Sequence, residues 1–224
     1  MYSGEVNHET ITGIFEGAAD FIVRRLCCNG VSLYAYAIDG LTSGADTSEY
    51  VIRPITDNLT GSTPAALYEE ALLGNVYNSV ADRCKDLDTV ARKLVNGFCV
   101  VLFPGAGAIA FEVKTGEKRG ISAPEVENTV KGPKDAFVET VRSNTSLIRR
   151  HLRTPALRLW ETQVGRRSLT NVTVAYIDGL TDPRLVERMQ HRLEKIDVDG
   201  FLAPSAVEEY VTGSRKTAFP LIQY

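Results

Sequence analysis

Phe98-Cys99-Val100-Val101-Leu102-Phe103 runs into Pro104-Gly105-Ala106-Gly107, after which Ile109, Phe111 and Val113 alternate with Ala110 and Glu112. An unbroken apolar run of this length predicts a strand buried on both faces. The Pro-Gly-x-Gly stretch is turn chemistry, and the alternation behind it predicts a partner strand, so the segment reads as a β-hairpin. Gly116-Glu117-Lys118 would make the next turn. Just upstream, Leu87 to Leu94 predicts a helix, and Thr63-Pro64 predicts an N-cap with proline at the first helical position, followed by Leu67, Ala71 and Leu72 on one face. Farther upstream, Ser32 to Ile38 is strand-like and stops at Asp39-Gly40. In residues 9–28, Ile11, Ile14, Phe15, Ala18, Ile22 and Leu26 recur at helical spacing, with Gly30 as the stop.

Downstream, Pro124 to Gly132 is polar and predicts a connection. Gly132-Pro133 predicts the start of a helix with Phe137, Val141, Ile148 and Leu152 as its apolar stripe. Asn171 to Ile177 predicts a strand. Thr181-Asp182-Pro183 predicts the cap of a helix carrying Leu185, Met189, Leu193 and Ile196 on one face, and Pro204-Ser205 opens a last short helix with Val207 and Val211. Strands interleave with helices, which favours an α/β fold over segregated classes. The expected architecture is two α/β subdomains, 1–122 and 123–224, each a small mixed sheet packed with helices.

One pentapeptide occurs twice. Ile38-Asp39-Gly40-Leu41-Thr42 returns as Ile177-Asp178-Gly179-Leu180-Thr181, each time behind an apolar strand and ahead of a helical pattern. A strand ending in Asp-Gly places a carboxylate at the carboxyl edge of a sheet, where α/β folds bind ligands. The plainer alternative is that the aspartates only bond nearby backbone amides. Asp39 and Asp178 are therefore the candidates for a ligand's ammonium group.

Composition narrows the function classes. The 224 residues carry 25 Lys+Arg against 28 Asp+Glu, a net charge of -3, so nothing global points to nucleic acid or to an anionic surface. Cys27, Cys28, Cys84 and Cys99 form no C-x-x-C pair and read as free, mostly buried thiols in a reducing compartment. No signal peptide and no run of 18 apolar residues is visible. There is no phosphate-binding G-x-x-x-x-G-K-[ST] loop and no G-x-S-x-G elbow, and Ser62 and Cys99 have no identifiable base. His8, His151 and His191 lack metal-ligand spacing, with His8 expected in a frayed end. The chain accordingly reads as no enzyme, and neither a cofactor nor a metal is expected.

The distinctive segment is arginine-rich. Arg142, Arg149 and Arg153 are spaced seven and four apart and would share one helical stripe, with Arg150 beside them and Glu139 placed to pair with Arg142. The guanidinium fork suits carboxylates and phosphates. An inter-subunit surface built on Glu139, Arg142, Arg149, Arg150 and Arg153 is one reading, a lipid-headgroup contact is another, and a solvated helix face is the plain alternative. Nucleic acid is the weakest, because no aromatic residues interleave the arginines.

This segment also carries a resemblance. Pro124-Glu125-Val126-Glu127, then Lys131-Gly132-Pro133-Lys134-Asp135-Ala136-Phe137-Val138-Glu139, then Asn144 and Leu147-Ile148-Arg149-Arg150-His151-Leu152-Arg153-Thr154-Pro155-Ala156-Leu157 resemble the A subunits of the GerA family of spore germination receptors. His151 and Lys131 stand where that family usually has arginine. The likeness extends through Val174-Ala175-Tyr176-Ile177-Asp178-Gly179-Leu180, Asp20-Phe21-Ile22-Val23-Arg24 and the strand at Gly97 to Phe103. It implies the soluble N-terminal region of a longer subunit that continues into membrane-spanning helices. It further implies the inner membrane of bacterial spores, B- and C-type partner subunits and a nutrient trigger. Two roles follow as expectations: assembly and signal coupling, with self-association included, or nutrient binding in a cleft between the subdomains.

Overall fold

The computed structural model describes residues 2–115, 137–200, 207, 210 and 211. The elements run α1 (His8–Ile14), β1 (Phe21–Cys28), β2 (Val31–Ile38), α2 (Gly44–Thr47), α3 (Arg53–Asn58), α4 (Pro64–Glu70), β3 (Ala81–Cys84), α5 (Leu87–Val95), β4 (Phe98–Phe103), β5 (Gly107–Glu112), α6 (Val141–His151), β6 (Leu157–Val164), β7 (Thr170–Ile177) and α7 (Pro183–Glu194). Helices and strands alternate and pack together, the α/β class expected from the sequence. Helix starts carry capping side chains, at Thr63 and Asp182 as the sequence implied and also at Asp86. Thr63 accepts from the Ala66 amide at 3.2 Å, Asp86 from Thr89 at 2.7 Å and Asp182 from Arg184 at 2.9 Å, each satisfying an amide that the first helical turn leaves without a partner.

Two packed units divide the chain, Met1–Leu159 and Trp160–Tyr224. The first holds a five-stranded sheet in the order β1-β2-β4-β5-β3, antiparallel at every pairing. Every residue of β4 is buried because helices cover both faces. On one face Tyr36, Val100, Leu102 and Ala110 pack with Ile11 and Phe15 of the α1 region and with Val90 and Leu94 of α5. On the other, Leu33, Val101, Phe103 and Ile109 meet Val51, Ile55 and Leu67 of the α2–α4 region. The apolar run at 98–103 is thus the centre of a helix–sheet–helix sandwich. The second unit contains β6 from Trp160 onward, its partner β7 and α7, with Val164, Val186 and Leu193 buried.

Three expectations need revision. Residues 9–28 are not one helix. The chain leaves α1 at Ile14 and is extended from Phe21, pairing Phe21 with Ile38 through Cys28 with Val31. Asn29 (φ 48°) and Gly30 (φ 80°) form the two-residue turn between β1 and β2, and the right-handed twist of paired strands favours such left-handed turn residues. Residues 137–140, expected within the helix from Pro133, are not helical; α6 begins at Val141 and Phe137 is 65% exposed, while 133–136 lie outside the described residues. Asn144 reaches back to close that helix, accepting from the Val138 amide at 2.8 Å and donating to the Val138 carbonyl at 2.7 Å. His8 is not frayed, since its ring stacks on Tyr34 at 4.1 Å and its Nδ1 lies 2.8 Å from the Tyr36 hydroxyl. The connection expected at 124–132, the turn at 116–118 and the boundary at 122/123 lie outside the described residues. Val207, Tyr210 and Val211 are helical, as the Pro204-Ser205 signal implied.

The strand assignment of β1 separates two residues that a helix would treat alike. Leu26 is buried on the sheet, whereas Ile22 is 45% exposed. Leu26→Ala should cost about 2–5 kcal/mol in urea unfolding, and Ile22→Ala should stay within about 0.5 kcal/mol of the parent. Equal losses at both positions would favour the helical reading.

Candidate functional site: an arginine helix docked on an Asp–Gly turn

β2 ends at Ile38, whose carbonyl receives the amides of Leu41 (3.2 Å) and Thr42 (3.1 Å). Gly40 closes this turn at φ 80°. The turn is pinned from both sides. The Asp39 amide donates to the Asp20 carbonyl at 2.8 Å, the Thr115 amide to Leu41 at 3.1 Å, and the Ser43 amide to Val113 at 2.8 Å. Asp20, just ahead of β1, therefore lies beside Asp39, at the end of the sheet.

α6 lies on this turn. A Cβ at position 40 would meet the Ser146 Cβ at 2.7 Å, closer than side-chain carbons approach, so glycine is required there by contact as well as by φ. The buried side of α6 is Thr145, Ser146, Leu147 and Arg149. Arg149 is fully buried and Asp20 is 1% exposed. Nε and Nη2 of Arg149 donate to the two Asp20 carboxylate oxygens at 2.7 Å each, and Nη1 donates to the Thr154 carbonyl at 3.2 Å. A two-pronged fork of this kind is the strong form of the charge-assisted hydrogen bond. Four more arginines fasten the same segment. Arg142 Nε is 3.0 Å from Asp39 Oδ2, and Arg150 Nη2 donates to Thr115 Oγ1 at 3.1 Å. Arg153 Nη1 donates to Asn96 Oδ1 at 3.3 Å, and Arg158 Nη1 to the carbonyls of Ile14 (2.9 Å) and Pro155 (3.0 Å). The Arg158 contact places a cation at the carboxyl end of α1, where the helix dipole favours it. These attachments keep residues 141–158 within the first unit.

The candidate residues are thereby redistributed. Arg149 does not share an exposed stripe with Arg142 and Arg153; it faces inward, because Asp20 supplies a buried counter-charge that the helix sequence does not display. Arg142 meets Asp39, so the candidate ligand carboxylate and a candidate interface arginine are one ion pair, with side chains 44% and 38% exposed. Glu139 is exposed and precedes the helix. Asp178 belongs to the second unit and is exposed. Asp20 escaped the sequence reading as a site residue, although it stands in the segment Asp20-Phe21-Ile22-Val23-Arg24 that carries the resemblance.

Two of the thiols are held in the protonated form. Burial pushes Cys99 up to about 12 and Cys84 up to about 11, so both stay protonated at neutral pH. Among the described residues no group of His, Cys, Asp and Glu could hold a metal ion, and no helix is long and apolar enough to cross a membrane.

The sequence profile of the family described as Bacillus/Clostridium GerA spore germination protein matches residues 9–224. The chain belongs to the GerA family. Among its relatives in Bacillus subtilis (strain 168) is the "Uncharacterized membrane protein YfkQ", 29% identical over 97% of this chain and 42% of that protein. The "Stage V sporulation protein AF" is 31% identical over 92% of the chain and 42% of the relative, and the "Spore germination protein KA" is 29% identical over 92% and 39%. This GerA-family chain thus spans about two-fifths of the length of the curated relatives it matches. Its fold is that of the N-terminal domain of the A subunit of the Bacillus megaterium spore germinant receptor GerK3. The TM-score is 0.65 at 20% identity, covering 90% of this chain and 72% of the other.

The buried fork and the surface arginine should respond differently to charge reversal. Arg149→Glu sets a second buried carboxylate against Asp20 and should cost at least about 3–5 kcal/mol, a large part of a domain's stability. Arg153→Glu, at an exposed position, should cost no more than about 1 kcal/mol. Circular-dichroism melts of the two variants give the comparison, and an Arg149→Glu melt as close to the parent as that of Arg153→Glu would contradict the burial.

Proposed function

We propose that this chain is the N-terminal, membrane-external part of a nutrient-responsive germinant receptor subunit, and that it serves assembly and signal coupling. Its partners on this reading are B- and C-type subunits and further copies of itself, at the inner membrane of the spore. The family assignment supports the receptor context. The observation that carries the coupling role is the Asp39–Arg142 pair. It joins a sheet-end turn to the helix docked on it, and it is half exposed where the neighbouring Asp20–Arg149 pair is sealed. Exposed pairs contribute only about 0–1 kcal/mol, so a partner group can open this one cheaply without disturbing the fold beneath.

Nutrient binding by this chain is the second reading, favoured by the same two residues, since a carboxylate and a guanidinium side by side complement the two charges of an amino acid. That reading requires the ligand to break the existing bridge.

The experiment places Arg142→Gln in the full-length receptor and follows nutrient-triggered loss of spore optical density. The isolated variant should melt within a few degrees of the parent, because about 1 kcal/mol shifts the midpoint of a domain this size by roughly 2–4 °C. Germination should be several-fold slower. A normal response would remove the pair from the coupling route. Calorimetry of the isolated chain with amino acids separates the second reading: micromolar binding that Asp39→Asn abolishes would put nutrient recognition here.

A further inference from the structure

The repeated pentapeptide is repeated in three dimensions. The Ile177 carbonyl receives the amides of Leu180 (3.2 Å) and Thr181 (2.9 Å), the same pair of bonds that the Ile38 carbonyl receives from Leu41 and Thr42. Gly179 has φ 77° against 80° at Gly40. Each turn leads, one residue on, into an N-capping side chain, Ser43 for α2 and Asp182 for α7.

What differs is the cover. In the first turn Leu41 is 6% exposed, the space beside Gly40 is filled by Ser146, and Asp39 meets Arg142. In the second, Leu180 is 81% exposed and a Cβ at position 179 would meet nothing within 4 Å. The turn bonds use backbone groups only, so they do not call for a leucine at 180; its apolar side chain gains nothing from water. Leu185, at the start of α7, is also exposed.

We propose that the turn Asp178–Thr181 is a docking site for an α-helix of another polypeptide, one that presents an arginine and, four residues later, a small side chain. The first turn supplies this chemistry. The helix it accepts carries Arg142 and Ser146 on one face, one turn apart, and the small residue allows backbone-close approach at the glycine while the arginine meets the aspartate. Leu180 would be buried as Leu41 is. Asp178 has contacts of its own, but a carboxylate accepts several donors. The α6 of any copy of this chain is already engaged at Asp39 and Gly40, which points to a partner of different sequence. The inference deepens the assembly reading by naming a surface and the motif that fits it.

A helix-locked, fluorescently labelled peptide of residues 139–152 is the probe, titrated into the 224-residue chain by fluorescence anisotropy. Saturable binding is expected. It should weaken by about tenfold or more, a difference of one to two contacts, in the Leu180→Asp chain and with Arg142→Glu in the peptide. Leu180→Ser serves as the second variant if Leu180→Asp lowers the melting temperature. Absence of saturation at millimolar peptide, or binding that survives both Leu180 changes, would overturn the site. So would retention of the chain on anionic phosphatidylglycerol vesicles, lost with Leu180→Ser, in place of peptide binding; that outcome would assign the leucine to a lipid surface. The peptide result concerns the dock alone, so its failure leaves the germination test of receptor coupling separately readable.

Discussion

Asp20 and Arg149 are 129 residues apart in sequence and are joined by two 2.7 Å hydrogen bonds in a site that water does not reach. A buried charge without its partner is among the costliest defects a fold can carry, whereas a paired and fully bonded one is tolerable. The pair therefore acts as a condition on the structure. α6 can lie on the sheet only where Arg149 reaches Asp20, and Asp20 stays dry only while α6 is there. That lone requirement sets the register of the helix, brings Ser146 onto Gly40, and delivers Arg142 to Asp39. It also accounts for the limits of the first unit, which takes in the segment through Leu159.

The arrangement layers a rigid contact beneath an adjustable one. The sealed pair supplies geometry, because its guanidinium is bonded on three nitrogens. The half-exposed Asp39–Arg142 pair above it contributes little stability and so can exchange partners. On the proposed coupling role, a segment that must hold its shape while one contact changes needs both kinds. The second unit offers the same turn, Ile177 to Thr181, with its leucine exposed, so a surface of known shape stands where the first unit has an interface already made.

The sequence disclosed those parts whose signals are local. The run at 98–103 is apolar at every position because both sheet faces are covered, and Thr63 and Asp182 announce helix starts because a cap acts within the first turn. β1 was hidden for a physical reason. Its outer residues Val23, Arg24 and Arg25 are exposed, so only Leu26 and Cys28 show the inward alternation, and the spacing of Ile22 and Leu26 fits a helix equally well. Asn29-Gly30 was the available signal, since this dipeptide specifies a two-residue hairpin turn. β6 was concealed by charge, with Arg158 and Glu161 interrupting its apolar pattern. The fate of the arginines was not legible at all. Whether Arg149 faces water or a carboxylate depends on a residue far away in sequence, and helical periodicity assigns every arginine to the solvent side by default. The Asp-Gly echo could be seen in the sequence, but not that one copy is covered and the other open.

A double-mutant cycle on Asp20 and Arg149 measures whether their ion pair holds α6 on the sheet. Asp20→Asn, Arg149→Met and the double variant are compared with the parent by urea unfolding of the isolated chain. The account predicts that each single change costs about 3–5 kcal/mol, and that the double variant loses much less than the sum, with a coupling of at least about 1.5 kcal/mol. Costs that add to within about 0.5 kcal/mol would mean that the two residues act independently, and that something other than this ion pair holds the arginine helix on the sheet.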